Sequence, residues 1–431
     1  MSVRRGTSLR AERHSQSANF ASLLADVGGT AYLKVMRWAA AVSLLVLGCS
    51  GGSSGGGGGQ SPPPDPVPCQ PGDFDLGSVV GPGQRGLITP GTVELTEPVQ
   101  IVGQSGVQSA PVSVCVPDDA VSLLLFPDPS REALPSSYVA SGYGEQVDTS
   151  SVDALIRFVT PEVMLPRSRE LPLQPGRHVF RIADTTTAPV APVLALRRGN
   201  LGAQAVFSLN LKFVDGAFQN DSELQTAFQD ASIFDSIYGA VGVGAVAVGA
   251  GTIPDTSLAV LPDTELAKLA TAPATSLPEG PLLPNAVEIY FVRELVSQDS
   301  AGALLGKAMG IPGAPGVPNK QGVAISVDAH RVNGQILASA MWTTVAHEVG
   351  HWFGLRHPTE RTGRTFDYVA DTPECPASRD LNHDGLVDSS ECNGAGADNL
   401  MFWFYDFYAP PSGLTQGQAF VLHSSLMMEA Q

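Results

Sequence analysis

The sequence predicts an α/β (α+β) domain with a mostly parallel, twisted sheet over residues 203–431, preceded by a small all-β, sandwich-like domain over residues 69–200. Before about residue 200, short β-prone runs are broken by proline and glycine, and no helical period appears. After residue 203, strand and helix patterns alternate, which is typical of sheets with parallel strands. The chain has 431 residues, 43% of them hydrophobic, which is enough for a sizeable core.

The first 68 residues are predicted to be targeting and tether sequence. Residues 1–35 hold four arginines and no apolar run, so we expect an upstream extension from a mis-assigned start. Residues 36–48 contain "WAAAVSLLVLG", too short for a membrane span and typical of a signal peptide. The ending "LVLGCS" resembles a bacterial lipobox, which implies lipidation of Cys49, although a plain signal peptide with an incidental cysteine is the alternative. Residues 49–68 form a Gly/Ser/Pro tether.

This leader predicts an exported bacterial lipoprotein at the cell surface or outer membrane, or released extracellularly. The whole chain carries a net charge of −17. The first 48 residues hold six basic and two acidic residues, so 19 basic and 40 acidic residues remain, a net charge of −21. Such a chain is repelled by nucleic acids and by anionic membrane surfaces. We therefore expect membrane contact only through the lipid anchor and no nucleic-acid partner, and the oligomeric state stays open.

Five β-prone runs define the first domain, and its role is open between a propeptide, a substrate-docking module and a spacer. The runs are "APVSVCV" (110–116), "VSLLLF" (121–126), "DALIRFV" (153–159), "GRHVFRI" (176–182) and "VLALRR" (193–198). With Cys49 lipidated, four cysteines remain, and an even number in an exported chain predicts two disulfides. Of the three possible connectivities, proximity along the chain favours Cys69 with Cys115 and Cys375 with Cys392.

The second domain begins with the alternating strand "AVFSLNLKFVD", and a helix is predicted over 220–239 behind an Asp/Ser cap. Further strands are predicted in "AVAVGAG", "AVEIYFVREL" and "GVAISVDA". The last of these, residues 322–329, alternates apolar and polar residues, which favours a half-exposed edge strand, with a buried core strand as the alternative. "GKAMGIPGAPG" just before it is expected to form a rim loop. A helix is predicted from about Ala338 to Phe353.

The second helix carries the motif "HEVGHWFGLRH". His347 and His351 are four residues apart, so they share one helix face and can bind one Zn²⁺. Glu348 lies about 100° around the helix, close enough to act as general base on a zinc-bound water without being a ligand. Gly354 permits the left-handed turn that brings His357 back as third ligand. Three ligands leave one open position, which is typical of catalytic sites and not of structural ones.

These residues match the zinc signature of the metzincin metalloproteases, and the chain resembles that family over about residues 203–431. "DNLMFW" resembles the family's Met-turn, with Met401 as its methionine. "DYVADTPECP" and "LTQGQAFVLHSSL" are most similar to the pappalysin and cytophagalysin group. The resemblance implies a zinc-dependent endopeptidase with protein or peptide substrates, which bind by extending a strand along the sheet edge.

Two residues depart from relatives within the family. His357 is followed by Pro358 where astacins have an acidic residue, and Trp403 stands where many relatives have tyrosine. "CVPD" at Cys115 resembles the cysteine switch of latent zinc proteases, but a disulfide-bonded strand cysteine is favoured. Two alternatives to an active protease stay open: a non-catalytic adhesin or metal-binding lipoprotein on a protease scaffold, and a latent zymogen.

"DLNHDGLVDSSE", residues 380–391, has the spacing of a twelve-residue EF-hand-type calcium loop. Closely packed carboxylates repel one another without a cation, and the alternative is an acidic solvated turn. We expect Ca²⁺ to order the segment that forms the floor and one wall of the substrate pocket. The expected oxygen ligands are Asp380, Asn382, Asp384, the carbonyl of Leu386, Asp388 and Glu391.

Overall fold

The structure is a computed structural model in which the following residues are described: 68–71, 73–75, 93–95, 112–127, 137–141, 163–170, 172–183, 192–278, 280–297, 303–314, 320–404, 407 and 410–430. The predictions for residues 1–35 and 36–48, for Cys49 and for the strand at 153–159 lie outside these residues. Within the described part of the chain, no helix combines the length and apolar character needed to cross a membrane.

The first half of the described chain contains eight strands in two four-stranded sheets. The strands are β1 (Phe74–Asp75), β2 (Val93–Leu95), β3 (Val112–Val116), β4 (Ala120–Pro127), β5 (Ser137–Ser141), β6 (Val163–Leu165), β7 (Gly176–Ala183) and β8 (Pro192–Arg198). One sheet has the order β1-β3-β7-β5 and the other β2-β8-β4-β6. All neighbours are antiparallel except β1 and β3. Four of the five predicted strands are therefore present, and the fifth is not described.

The second half mixes strands and helices. Its strands are β9 (Ala205–Val214), β10 (Val243–Ile253), β11 (Val260–Pro262), β12 (Thr275–Ser276), β13 (Val287–Val292), β14 (Glu294–Val296), β15 (Gly306–Ala308), β16 (Val323–Ser326), β17 (Arg331–Val332), β18 (Gln335–Ile336) and β19 (Glu429–Ala430). Its helices are α1 (Asp221–Ala227), α2 (Ser232–Gly239), α3 (Ala267–Thr271), α4 (Ala338–Trp352) and α5 (Gln416–Ser424).

A seven-stranded sheet forms the centre of this half, in the order β12-β10-β9-β13-β16-β15, with β19 paired to the start of β9. The four central strands β10, β9, β13 and β16 are mutually parallel. Strands β12, β15 and β19 pair antiparallel with their neighbours. The fold is therefore mixed α/β with a sheet-rich core, in which the four central strands are parallel and the three outer strands pair antiparallel.

The prediction of one helix over 220–239 is wrong, because the structure has two short helices there. Asn220 caps α1 through its side chain, which accepts from the backbone N–H of Glu223 at 3.0 Å. The buried Ala227 carbonyl at the end of α1 accepts a hydrogen bond from the Trp342 indole of α4 at 2.8 Å. A tertiary contact therefore takes the carbonyl that a continuous helix would use, and this contact is invisible to a periodicity argument.

The prediction of an edge strand at 322–329 is also wrong. All four residues of β16 are buried, and the strand lies between β13 and β15. The edge is β15, which lies within the segment predicted to be a rim loop. The alternation was misleading because Ser326 is buried with its carbonyl accepting from His330, and Asp328 lies beyond the end of the strand.

Helix α4 packs on the central sheet through a shared aromatic core. The Tyr238 hydroxyl of α2 donates to the Ala346 carbonyl of α4 at 2.7 Å, both groups being buried. Trp342 is fully buried and its ring contacts that of Phe291 in β13 at 6.2 Å between centroids. These contacts fix α4 against α2 and the sheet, so the side chains on its other face are held on a rigid element.

The two halves share buried contacts. Leu124, Met164 and Ala195 of the first half belong to the same hydrophobic core as α4. The buried guanidinium of Arg197 in β8 donates to the carbonyls of His423 and Ser425 at the end of α5, at 2.5 and 2.9 Å. Because of this burial, the pKa of Arg197 is lowered to about 10, so it stays charged at neutral pH. A cation at the C-terminal end of a helix also interacts favourably with the helix dipole.

Candidate metal centre and cleft

The end of α4 and the turn after it bring the three predicted histidines together. His347 and His351 lie on one face of α4, which is helical through Trp352. Gly354 then has a φ of +109°, a conformation that L side chains rarely adopt, and it lets the chain reverse direction. His357 returns to the helix in consequence. The side-chain ligand atoms of the three histidines all lie within 4.8 Å of one another.

The hydrogen bonds of the three rings direct their Nε2 atoms toward a common point. The Nδ1 atom of His347 lies 2.7 Å from the Leu400 carbonyl, and that of His351 lies 2.8 Å from the Leu355 carbonyl. A carbonyl only accepts, so both Nδ1 atoms carry the proton and both Nε2 lone pairs are free. His357 Nδ1 faces a carboxylate oxygen of Glu360 at 3.1 Å, with the same consequence. The Nε2 atoms of His351 and His357 are 3.1 Å apart.

Burial keeps the two helix histidines neutral. It lowers the pKa of His347 to about 3, with a smaller contribution from His357, and it lowers the pKa of His351 well below its usual range. Histidine binds metals only as the neutral ring, so this environment prepares the ligands. Three neutral imidazoles with converging Nε2 lone pairs can hold a metal ion, and their geometry is compatible with zinc.

Glu348 lies beside the histidines, with its carboxylate held by the edge strand. Its Oε2 accepts the backbone N–H of Ala308 in β15 at 2.8 Å, and the residue is 8% exposed. Burial raises the pKa of Glu348 to about 7, although His357 and the Ala308 hydrogen bond oppose that shift. A carboxyl with a pKa near neutrality can both accept and return a proton, which is what general acid–base chemistry requires.

An open cleft of about 950 Å³ contains the histidines and Glu348. Strand β15 contributes to its lining, and so does Thr344 on α4. Four aromatic residues that follow Met401 also line it: Phe402, Trp403, Phe404 and Phe407. All the lining residues come from the range 263–407. The cleft is therefore large enough for a peptide-sized ligand, and it belongs to the second half of the chain.

Met401 is fully buried beneath the histidine motif. A β-carbon on Gly350 would lie 2.7 Å from the Met401 sulfur, so the thioether packs directly against α4 between the two helix histidines. The Met401 N–H donates to the Asn399 side chain at 2.9 Å, and the neighbouring Leu400 carbonyl holds His347. The segment 399–401 thus supports the histidines from below.

Both cysteine pairs favoured by sequence proximity are bonded in the structure. Cys69 is joined to Cys115, and Cys375 is joined to Cys392. Cys115 therefore has no free thiol for a metal, which excludes the cysteine-switch interpretation. The second bridge encloses the acidic loop at 380–391, as predicted.

The acidic loop has the turn expected of a calcium loop. Its carboxylate oxygens, however, are not as close to one another as the ligand atoms of the three histidines. The Gly385 N–H donates to Asp380 at 3.0 Å, and the Leu386 N–H donates to Asp384 at 2.9 Å. Both oxygens of Glu391 accept backbone N–H groups of the loop, among them those of Leu381 and Asp388. Among the described residues, the three histidines form the one group of at least three potential ligand side chains within 4.8 Å.

Sequence reasoning missed two groups that contact the site. Ala308 acts through its main-chain N–H, for which no sequence signal exists. Glu360 follows His357 by three residues, and a carboxylate so close to a ligand histidine is the signal that could have revealed it. Burial raises the pKa of Glu360, but the hydrogen bond to His357 and the neighbouring Arg356 and Arg361 outweigh burial, and the pKa is lowered.

Any assignment of function to this chain rests on the geometry of the site, because the comparisons with known proteins give no match. No protein-family model matches the chain, and no curated protein matches it either.

Proposed function

We propose that the protein is a metzincin-like zinc metalloendopeptidase, most similar to the pappalysin and cytophagalysin group. One observation carries the proposal: three imidazoles converge through their Nε2 atoms beside a buried carboxylate, in a cleft that is open to a peptide. A structural zinc site usually has four protein ligands, whereas three ligands and a neighbouring base are typical of hydrolytic sites.

In this proposal His347, His351 and His357 would hold a zinc ion, which would supply a water with a pKa lowered to about 7 and would polarise the substrate carbonyl. Glu348 accepts the proton of the attacking water and returns it to the leaving amine, a role suited to a buried carboxylate beside the three histidines. The edge strand β15 offers its main chain to an extended substrate, which pairs with it as an added strand. Met401 supports the histidines from beneath, as the Met-turn residue of the family does.

The proposal includes the organisation of the whole chain. Residues 36–48 direct export, Cys49 carries the lipid, and the Gly/Ser/Pro segment tethers the folded part to the cell surface or outer membrane. The two sheets of the first half form an accessory domain. The substrates are proteins or peptides.

Metal removal tests the proposal. Purified residues 60–431 are expected to contain about one zinc per chain and to cleave a generic unfolded protein. Exhaustive chelation is expected to abolish cleavage, and added zinc to restore it. His351→Ala, which removes a ligand at the centre of the triplet, is expected to lose zinc and activity together. Metal analysis and a peptide-release assay measure both, and a wild-type protein without bound zinc would contradict the proposal.

We further propose that residues 380–391 bind Ca²⁺ and that this ion orders one wall of the cleft. Val387 of the loop is fully buried against Phe402, and its carbonyl accepts the Trp403 indole N–H at 2.7 Å. Phe402 and Trp403 both line the cleft. The loop is therefore connected to the cleft wall by a buried side chain and a hydrogen bond. An ion that orders the loop also orders this wall of the cleft.

Calcium removal at constant zinc is the corresponding experiment. Calcium at about 100 times its Kd stabilises a protein by about 2.7 kcal/mol, which corresponds to several degrees in Tm. We expect the Tm to fall and KM to rise when calcium is dialysed away, with both restored by its return. Asp384→Asn combined with Glu391→Gln is expected to remove this response, whereas the exposed Glu294→Gln keeps it. If neither the Tm nor the KM of the wild-type protein changes when calcium is removed, the proposal is refuted.

A further inference from the structure

We propose that Glu360 is the positioning residue of the metal centre and that it sets metal affinity by fixing the ring of His357. The inference rests on the proposed metal site and adds a residue to it. Each imidazole has one Nδ1 partner, and two of the three partners are main-chain carbonyls that no substitution removes. His357 alone is held by a side chain, at 3.1 Å from Glu360 Oε2. Of the three Nδ1 contacts, therefore, only that of His357 can be removed by substituting its partner residue.

His357 needs such a partner more than the other two ligands do. His347 and His351 project from a rigid helix into buried surroundings, where packing limits ring rotation. His357 lies beyond Gly354, outside the helix, and its side chain is 22% exposed. The terminal torsion of histidine is broad and roughly two-fold, and a half-turn of the ring exchanges Nδ1 with Cδ2 and Nε2 with Cε1, so that a carbon would face the metal. A carboxylate that accepts from Nδ1 favours the orientation in which Nε2 faces the metal.

Glu360 is itself held on a fixed backbone. Its N–H donates to the Thr365 carbonyl at 2.9 Å, and its carbonyl accepts from Gly363 at 2.8 Å, which closes a tight hairpin. The hairpin is attached to the disulfide-bonded segment, because the Cys375 N–H donates to the Thr359 hydroxyl at 2.9 Å. Less conformational entropy is therefore lost when the carboxylate engages the ring than for a side chain on a free loop.

A partly exposed ion pair with no function is the competing explanation. Exposed pairs contribute little to stability, and the Glu360 side chain is 36% exposed. The two explanations differ in what they affect: a surface pair changes stability slightly, whereas a ring-orienting carboxylate changes metal affinity. Metal affinity and folding stability therefore have to be measured separately.

The experiment compares Glu360→Ala, Glu360→Gln and the wild-type protein over residues 60–431. Zinc affinity is measured by competition with a chromogenic chelator, and the visible spectrum of the Co²⁺-loaded protein reports the ligand field of His357. Glu374→Gln is the matched control, because it removes the same charge from an exposed residue of the same segment. Thermal unfolding of the zinc-free proteins shows whether each variant is folded.

Glu360→Ala is expected to weaken zinc binding about 10–100-fold and to alter the Co²⁺ spectrum. Glu360→Gln keeps an acceptor for Nδ1 and is expected to recover most of the affinity, and Glu374→Gln is expected to bind as the wild type does. If Glu360→Ala does not fold, Glu360→Met replaces it, because methionine keeps the stem and offers no comparable acceptor. A folded Ala or Met variant with wild-type affinity and spectrum overturns this inference alone. A wild-type protein that binds no zinc overturns the proposed function as well.

Discussion

Glu348→Gln is expected to lower kcat by about 10²–10⁴-fold while zinc remains bound. The substitution leaves all three imidazoles in place and removes only the proposed proton acceptor. Glutamine also retains a carbonyl oxygen that can accept the Ala308 N–H, so the contact between α4 and the edge strand can persist. Loss of activity at constant zinc content and constant Tm would then assign the proton transfer to Glu348.

The measurement pairs single-turnover cleavage with zinc analysis on the same samples. Glu294→Gln, an exposed carboxylate of β14, is the control and is expected to have the wild-type kcat. His351→Ala is the second reference, because it loses the metal together with the activity. Substantial turnover by the Gln variant would show that another group accepts the proton, and the proposed mechanism would then be wrong.

The same variant separates the protease from a non-enzymatic alternative. An adhesin or metal-binding lipoprotein on a protease scaffold has no use for a general base, so its function would survive Glu348→Gln. In that case the wild-type protein would bind zinc and cleave nothing across a broad panel of proteins. The burial of Glu348 disfavours this alternative, since a buried carboxylate is costly and a binding protein gains nothing from it.

The sequence was sufficient to predict the histidine site because the relevant geometry is local. Residues four apart share a helix face, and a glycine past the helix end reverses the chain, so His347, His351 and His357 could be placed together without tertiary information. The cysteine pairs followed from relative proximity, since Cys375 and Cys392 are 17 residues apart and Cys69 and Cys115 are 46 apart, and the structure contains both bridges.

The parts that failed depend on long-range contacts. The break between α1 and α2 coincides with a hydrogen bond from the Trp342 indole of α4 to the Ala227 carbonyl. The two residues are more than a hundred positions apart in the chain. The edge of the sheet depends on where β15 pairs, and a three-residue strand within a glycine-rich segment has too little pattern to be recognised. The Ala308 contact to Glu348 is a main-chain interaction across that pairing, so it could be found only once the register was known.

Deleting the residues before 203 is expected to destabilise the protein and abolish activity, not to release it. Met164 of β6 lies against Gly354, with 2.8 Å between its terminal carbon and the position of a β-carbon there. Gly354 forms the turn that delivers His357. Removal of β6 therefore uncovers the turn on which the third ligand depends.

The expected loss is large on the scale of protein stability. Burial of side chains such as Leu124 and Met164 contributes about 1.5–3 kcal/mol each, and a hydrogen bond to a charged group about 1.5–3 kcal/mol. Arg197 makes two such bonds to the end of α5. The total free energy of unfolding of a protein is about 5–15 kcal/mol, so the loss of these contacts together removes a large share of it.

Thermal unfolding and cleavage by residues 203–431 and 60–431 test this expectation. The control is a protease site introduced at the exposed Gly199–Leu201 connection, which allows the chain to be cut without removing the first half. The cut protein is expected to keep both halves together and to stay active, because the buried contacts persist. A latent zymogen would behave in the opposite way, with cleavage appearing only after the first half is removed. The described residues that line the cleft belong to the second half, so no described strand of the first half occupies the place of a substrate.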